Sequence, residues 1–128
     1  MAREHTRPVI VYDDDCGFCT WCARWAVRHG SFDAIGFANL TPDQRARLPE
    51  DFESCVHLLT DDTVYSCGGA TEQILRRTYP ALQRLFRALR IVPDYVDLRE
   101  YLYHWVADHR DRLGTVVSAD PPVERGRP

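Results

Sequence analysis

A chain of 128 residues, 45% apolar and 27% charged with a net charge of −3, is the size of one folded domain with a hydrophobic core. The mild acidity excludes a general nucleic-acid binder. Every strongly basic side chain is arginine, so the chain has neither the lysine of a Walker-type phosphate loop nor a Schiff-base lysine.

In chain order, residues 1–7 read as a loose polar leader, and MAREHTRP does not resemble a signal peptide. Residues 8–12 (PVIVY) are a β-branched run, expected as a buried strand. The segment 17–29 has helical spacing. Thr20, Arg24 and Arg28 form a polar stripe, and apolar residues cover both flanks, so this helix is expected to be largely buried. Residues 35–40 (IGFANL) predict a second strand, parallel to the first in a βαβ unit. Thr41-Pro42 opens a short helix with Thr41 as N-cap. Residues 56–60 and 63–66 predict a hairpin around Asp61-Asp62. Residues 70–77 continue as a helix. Leu82, Leu85, Phe86 and Leu89 mark another, with arginines opposite. After Pro93, residues 94–112 predict one last helix with Val96, Leu98, Tyr101, Leu102, Trp105 and Val106 as its apolar face. The tail from Ser118 is rich in proline and charge and reads as disordered.

The organising motif is YDDDCGFCTWC, residues 12–22. Cys16 and Cys19 form a C-x-x-C where the first strand ends and a helix begins. The N–H groups of the first turn stabilise a thiolate there, making Cys16 the candidate nucleophile. Cys19, one turn on, is the candidate resolving thiol. Asp13, Asp14 and Asp15 disfavour a nearby anion, yet one carboxylate could relay a proton from Cys19, and Asp13 is the best placed. Cys22 reads as a packed thiol.

The order β-α-β-α-β-β-α followed by helices is the thioredoxin or glutaredoxin order, so the expected fold class is α/β, thioredoxin-like, with a mixed four-stranded sheet. The domain is expected over 8–114, with the helical extension beginning near 80 and a disordered tail over 115–128. Tyr12-Asp13-x-Asp15-Cys16-x-Phe18-Cys19 resembles the DCC family of thiol–disulfide oxidoreductases. Tyr103-x-Trp105-Val106-Ala107-x-His109-Arg110 is similar to that family's closing helix. The resemblance runs from about residue 9 to 114 and implies a redox-active dithiol. No proline precedes Val56, where thioredoxins place a cis-proline beside the site.

Further candidates come from the second half. Cys55 and Cys67 are expected near the active site, facing or opposed according to hairpin register. An odd count of five cysteines in a chain without an export signal argues against a disulfide framework. Cys67-Gly68-Gly69 resembles the glycine pair with which glutaredoxins hold glutathione. Gly68 and Gly69, with Gly17 and Phe18 between the active cysteines, are therefore the candidate substrate-binding residues. Histidines 5, 29, 57, 104 and 109 lack metal-ligand spacing, and neither a metal nor another cofactor is expected. The partners expected are protein disulfides or a low-molecular-weight thiol such as glutathione, with no nucleic acid or membrane. The compartment expected is the cytoplasm. The alternatives are a non-catalytic thioredoxin-like module that binds a partner or metal through the same cysteines, and an anionic-surface adaptor using the arginine helices.

Overall fold

The structure, a computed structural model, describes residues 7–121 and 123. Its elements are β1 (Val9–Tyr12), α1 (Gly17–His29), β2 (Asp33–Gly36), α2 (Pro42–Arg47), β3 (His57–Leu59), β4 (Val64–Ser66), α3 (Cys67–Thr78), α4 (Leu82–Leu89), α5 (Tyr95–Asp108) and α6 (Arg110–Leu113). The sheet order is β2-β1-β3-β4. β1 runs parallel to β2 and antiparallel to β3, and β3 and β4 form the antiparallel hairpin. This is the expected α/β fold, a mixed four-stranded sheet flanked by helices, consistent with the thioredoxin-like class.

Alternation along β1 divides the core. Ile10 and Tyr12 pack with Ala23, Ala26 and Val27 of α1, Leu58 of β3 and Ala70 of α3. Val11 packs on the opposite face with Leu48, Phe52 and Leu59. A central strand covered on both faces is apolar throughout, as VIVY is. The hairpin is also tied by a buried histidine. Within β3, His57 Nε2–H donates to the Phe52 carbonyl (2.7 Å), and its Nδ1 pairs with the Ser66 hydroxyl (2.8 Å). Burial pushes the His57 pKa down, against a smaller opposing pull from the Phe52 carbonyl, and the ring sits there neutral.

Several local expectations change. The second strand covers Asp33–Gly36 rather than 35–40, because β1 offers ladder partners only from Val9↔Asp33 to Tyr12↔Gly36. The chain then turns through a 3-10 segment, Phe37–Asn39, whose Ala38 N–H donates to Asp14 Oδ2 (3.1 Å). Thr20 is buried rather than part of an exposed stripe, with its hydroxyl satisfied by the Cys16 carbonyl (2.9 Å). α2 begins as read: Thr41 caps it, Pro42 opens it and Gln44 completes a capping box. The last predicted helix breaks at His109 into α5 and α6.

The apolar faces assigned to the C-terminal helices are not buried. Leu85, Val96, Leu98, Tyr101, Leu102 and Trp105 are each about half exposed or more. Helical spacing identifies a face but not whether a layer covers it. A buried carboxylate holds this region instead. Glu72 of α3 accepts from Arg76 (3.1 Å), Arg90 (2.7 Å), Arg99 (3.2 Å) and the Tyr95 hydroxyl (2.6 Å). Burial alone would push the carboxyl up, but the Tyr95 hydroxyl and the Arg90 and Arg99 guanidiniums outweigh it and hold Glu72 down at about 2.

The tail also departs from expectation. Ala119 N–H donates to the Gly17 carbonyl (3.1 Å), and Val123 is buried in the main core with its N–H on the Tyr12 hydroxyl (3.0 Å). One valine amid polar and proline residues is enough to dock this stretch. Residues 1–6 of the expected leader, and residues 122 and 124–128 of the expected tail, lie outside the described residues.

Candidate active site

β1 ends at Tyr12, and the aspartate turn that follows delivers Cys16 to the N-cap of α1. Asp13 closes that turn by accepting the Asp15 N–H on Oδ1 (2.9 Å), while its carbonyl takes the Cys16 N–H (3.2 Å). Cys16 has the extended backbone of a cap residue, and its Sγ accepts the Cys19 N–H at 3.1 Å. A sulfur replaces the usual cap oxygen, so helix formation itself presents a donor to Cys16.

Cys16, Cys19 and Cys22 are free thiols, each half-buried. Burial, reinforced by the Cys16 sulfur beside it, pushes the Cys19 thiol up to about 12, with Arg110 pulling in the other direction. Burial likewise raises Cys22 to about 11. At neutral pH both remain protonated, as the packed-thiol reading of Cys22 anticipates.

Arg110 is the residue that motif reasoning quoted without a role. Its Nη1 lies 3.7 Å from Cys19 Sγ and 3.4 Å from Asp13 Oδ2. The break between α5 and α6 at His109 sets this side chain over the start of α1. Asp13 therefore reaches Cys19 through a guanidinium. Both of its oxygens have partners, Arg110 and the Asp15 N–H, and among the described residues no direct contact joins it to Cys19.

The candidate substrate residues divide. Phe18 and Cys19 line a cavity of about 660 Å³ between α1 and α5, with Trp21, Trp25, Leu102 and Val106 among its apolar walls. Gly17 is covered, because a Cβ there would collide with the Ser118 hydroxyl. Gly68 is already engaged. Its N–H donates to Glu100 Oε1 (3.1 Å), and a Cβ on it would strike the same carboxylate. The carboxylate at Cys67-Gly68-Gly69 is thus the protein's own Glu100, and Arg99 lies beside Gly69.

Cys55 and Cys67 form a disulfide, which corrects the argument from the odd cysteine count. That count bears on compartment, whereas pairing follows register. His57 sits opposite Ser66, and the Cys67 N–H donates to the Val56 carbonyl (2.9 Å), so the hairpin's open end brings both cysteines together. Tyr103 lies between the two cysteine pairs. Its hydroxyl accepts the Val56 N–H (2.9 Å); burial pushes the phenol's pKa up, and the Cys19 sulfur adds to the rise.

No helix among the described residues is long and apolar enough to cross a membrane. No curated protein and no solved structure matches this chain. A family model described as DCC1-like thiol-disulfide oxidoreductase matches residues 10–116, a stretch that contains the capped Cys16, Cys19 and the Arg110 guanidinium. With most of its length inside that match, the chain belongs to the DCC1-like thiol-disulfide oxidoreductase family.

Proposed function

We propose that the protein catalyses thiol–disulfide exchange, with Cys16 as nucleophile and Cys19 as resolving thiol. The observation that carries this reading is the Cys16 sulfur seated at the N-cap of α1, accepting the N–H of Cys19. The Cys16 thiolate attacks a substrate disulfide. The substrate S–S bond breaks, one substrate thiolate leaves and takes a proton, and a mixed disulfide forms at Cys16. Cys19 then loses its proton and attacks Cys16 Sγ. This forms the Cys16–Cys19 bond and releases the second substrate thiol, so two electrons pass from the dithiol to the substrate. Two external thiols restore the dithiol, giving up two electrons and two protons and leaving as a disulfide. The substrates are protein disulfides or those of a low-molecular-weight thiol such as glutathione.

The electrostatics order the two steps. After burial, the influences that raise Cys19 come from Cys16, both its hydrogen bond and its charge. Both vanish once Cys16 is bonded to substrate. The pull of Arg110 persists, so Cys19 becomes easier to ionise when resolution needs its thiolate. Asp13 is a positioning residue in this scheme, holding the guanidinium over Cys19. Phe18 supplies an apolar wall to the groups flanking the substrate disulfide.

The test equilibrates the protein against graded dithiol and disulfide, traps free thiols by alkylation and maps each cysteine by mass. A reversible Cys16–Cys19 bridge is expected, with Cys19→Ser accumulating the mixed disulfide and Cys16→Ser inert in exchange. Absence of that bridge at every poise would overturn the reading in favour of the non-catalytic binding module.

A further inference from the structure

We infer that Cys55, Cys67 and His104 form a zinc site that opens when the Cys55–Cys67 disulfide is reduced. The ligand atoms of the three residues lie within 4.8 Å of one another. Zinc–sulfur bonds of about 2.3 Å and zinc–nitrogen bonds of about 2.0 Å, arranged tetrahedrally, need neighbouring ligand atoms roughly 3.5 Å apart. Cutting the disulfide and letting the sulfurs relax to nonbonded contact supplies that spacing without moving the backbone. Two thiolates and an imidazole are a donor set suited to zinc, leaving a fourth position for water.

The surroundings hold this arrangement by contacts independent of the disulfide. The residue after each cysteine is tethered to the helix that carries His104. Val56 N–H donates to the Tyr103 hydroxyl (2.9 Å), and Gly68 N–H donates to Glu100 Oε1 (3.1 Å). Glu100 and His104 are four apart in α5, one turn along the same face. The Cys67 N–H also bonds to the Val56 carbonyl, and the Cα atoms of the two cysteines are 4.9 Å apart. Cys67 has φ 55°, a left-handed backbone that a non-glycine residue adopts at a cost. The ladder and the two α5 tethers keep it there after reduction. Histidine spacing along the chain misses such a site, because its ligands come from three separate segments.

The chemistry balances with a dithiol as reductant. Two electrons enter the Cys55–Cys67 bond, the dithiol becomes a disulfide, and two protons complete the Cys55 and Cys67 thiols. Zinc then displaces those two protons to solvent and takes the neutral His104 ring as third ligand. A small-molecule disulfide reverses this: it takes the two electrons and two protons to become thiols, the Cys55–Cys67 bond re-forms, and zinc is released. None of this depends on exchange at Cys16 and Cys19.

The test uses a full chain carrying Cys16→Ser, Cys19→Ser and Cys22→Ser, in which Cys55 and Cys67 are the remaining cysteines. Reduced with a dithiol, freed of it and titrated with cobalt(II), it should bind one equivalent, show thiolate-to-cobalt charge-transfer and tetrahedral bands, and lose both to zinc. The oxidised form should bind none. Adding His104→Ala, a change at an exposed side chain, should weaken binding at least tenfold. In the native chain, reduced and loaded with zinc, Cys55 and Cys67 should resist alkylation relative to the metal-free protein, which keeps the question decidable if the serine variant misfolds. Absence of cobalt binding by the reduced, folded variant, binding changed less than tenfold by His104→Ala, equal binding by the oxidised form, or no shielding of Cys55 and Cys67 would each overturn the proposal.

Discussion

β1 and α5 are both rich in apolar residues and treat them in opposite ways. Ile10, Val11 and Tyr12 are at most 2% exposed, whereas Leu98, Tyr101, Leu102 and Trp105 are 50% exposed or more. The difference lies in how many surfaces each element is offered. β1 is a central strand with β2 and β3 beside it and a core cluster on each face. α5 is held by polar anchors: the Glu72 cluster, Tyr103 on Val56 and Glu100 on Gly68. Cohesion in the sheet is hydrophobic, and the docking of the C-terminal helices rests on a few well-satisfied hydrogen bonds and ion pairs. The candidate site joins the two, since Cys16 caps α1 beside the sheet and Arg110 reaches Cys19 from α6.

The sharpest way to break the contrast is a core truncation. Leu58→Ala should cost about 3–4 kcal/mol in denaturant unfolding, because Leu58 is fully buried in the main core. Glu72→Gln comes next, at about 2 kcal/mol. This is below the cost of breaking a fully buried pair, because Arg90 is half exposed and can turn to water. Its effect should be local, with faster amide exchange in α4 and α5 and little change in β1. The same cluster gives the region an acid dependence. Folding holds the Glu72 carboxyl at about 2, below its ordinary value of 4.5. Its contribution is therefore complete above pH 4.5 and fades as pH falls from there toward 2. Hydrogen exchange across that window should loosen α4 and α5 before the sheet, and simultaneous loss would show that the regions are not distinct.

Arg110→Met tests the bridge between the regions. Losing the cation beside Cys19 should slow resolution of the Cys16 mixed disulfide about tenfold, which corresponds to one pKa unit. The attack by Cys16 should change less, and stopped-flow trapping of the mixed disulfide distinguishes the two steps. The smallest effect belongs to the exposed face. Leu102→Gln should shift stability by less than about 0.5 kcal/mol, as surface substitutions do. A loss comparable to Leu58→Ala would mean that this face is buried in solution.

The sequence exposed the elements whose cause is local. Thr41-Pro42 carries its own cap, VIVY its own continuous apolar, β-branched run, and the C-x-x-C announces the start of α1 by its place after a strand. Features built from distant residues were hidden to different degrees. Arg110 stands in a recognisable closing segment, but its contact with Cys19 crosses 91 positions and depends on a break at His109 that no residue there announces. The Cys55–Cys67 pairing depended on register, which a short hairpin does not fix by composition. Glu72 drew no reading from the sequence, because its four partners come from α3, the residue after α4, and α5. The apolar faces of α4 and α5 were legible as faces, while their exposure depends on packing that spacing does not encode.

The contact between Tyr12 and Val123 has a consequence for how the molecule assembles. It joins residues 111 positions apart and seals the same core that β1 starts, beyond the last residue of the family match. Contacts of such separation carry the largest loop-closure entropy and come late in folding. A shortened chain ending at residue 116 would contain every sulfur and the Arg110 guanidinium, yet would leave the Tyr12 phenol without its donor and Gly17 uncovered. The packed core thus extends past the family match, with Ser118 lying over Gly17 beside Cys16 and Val123 seated in the main core.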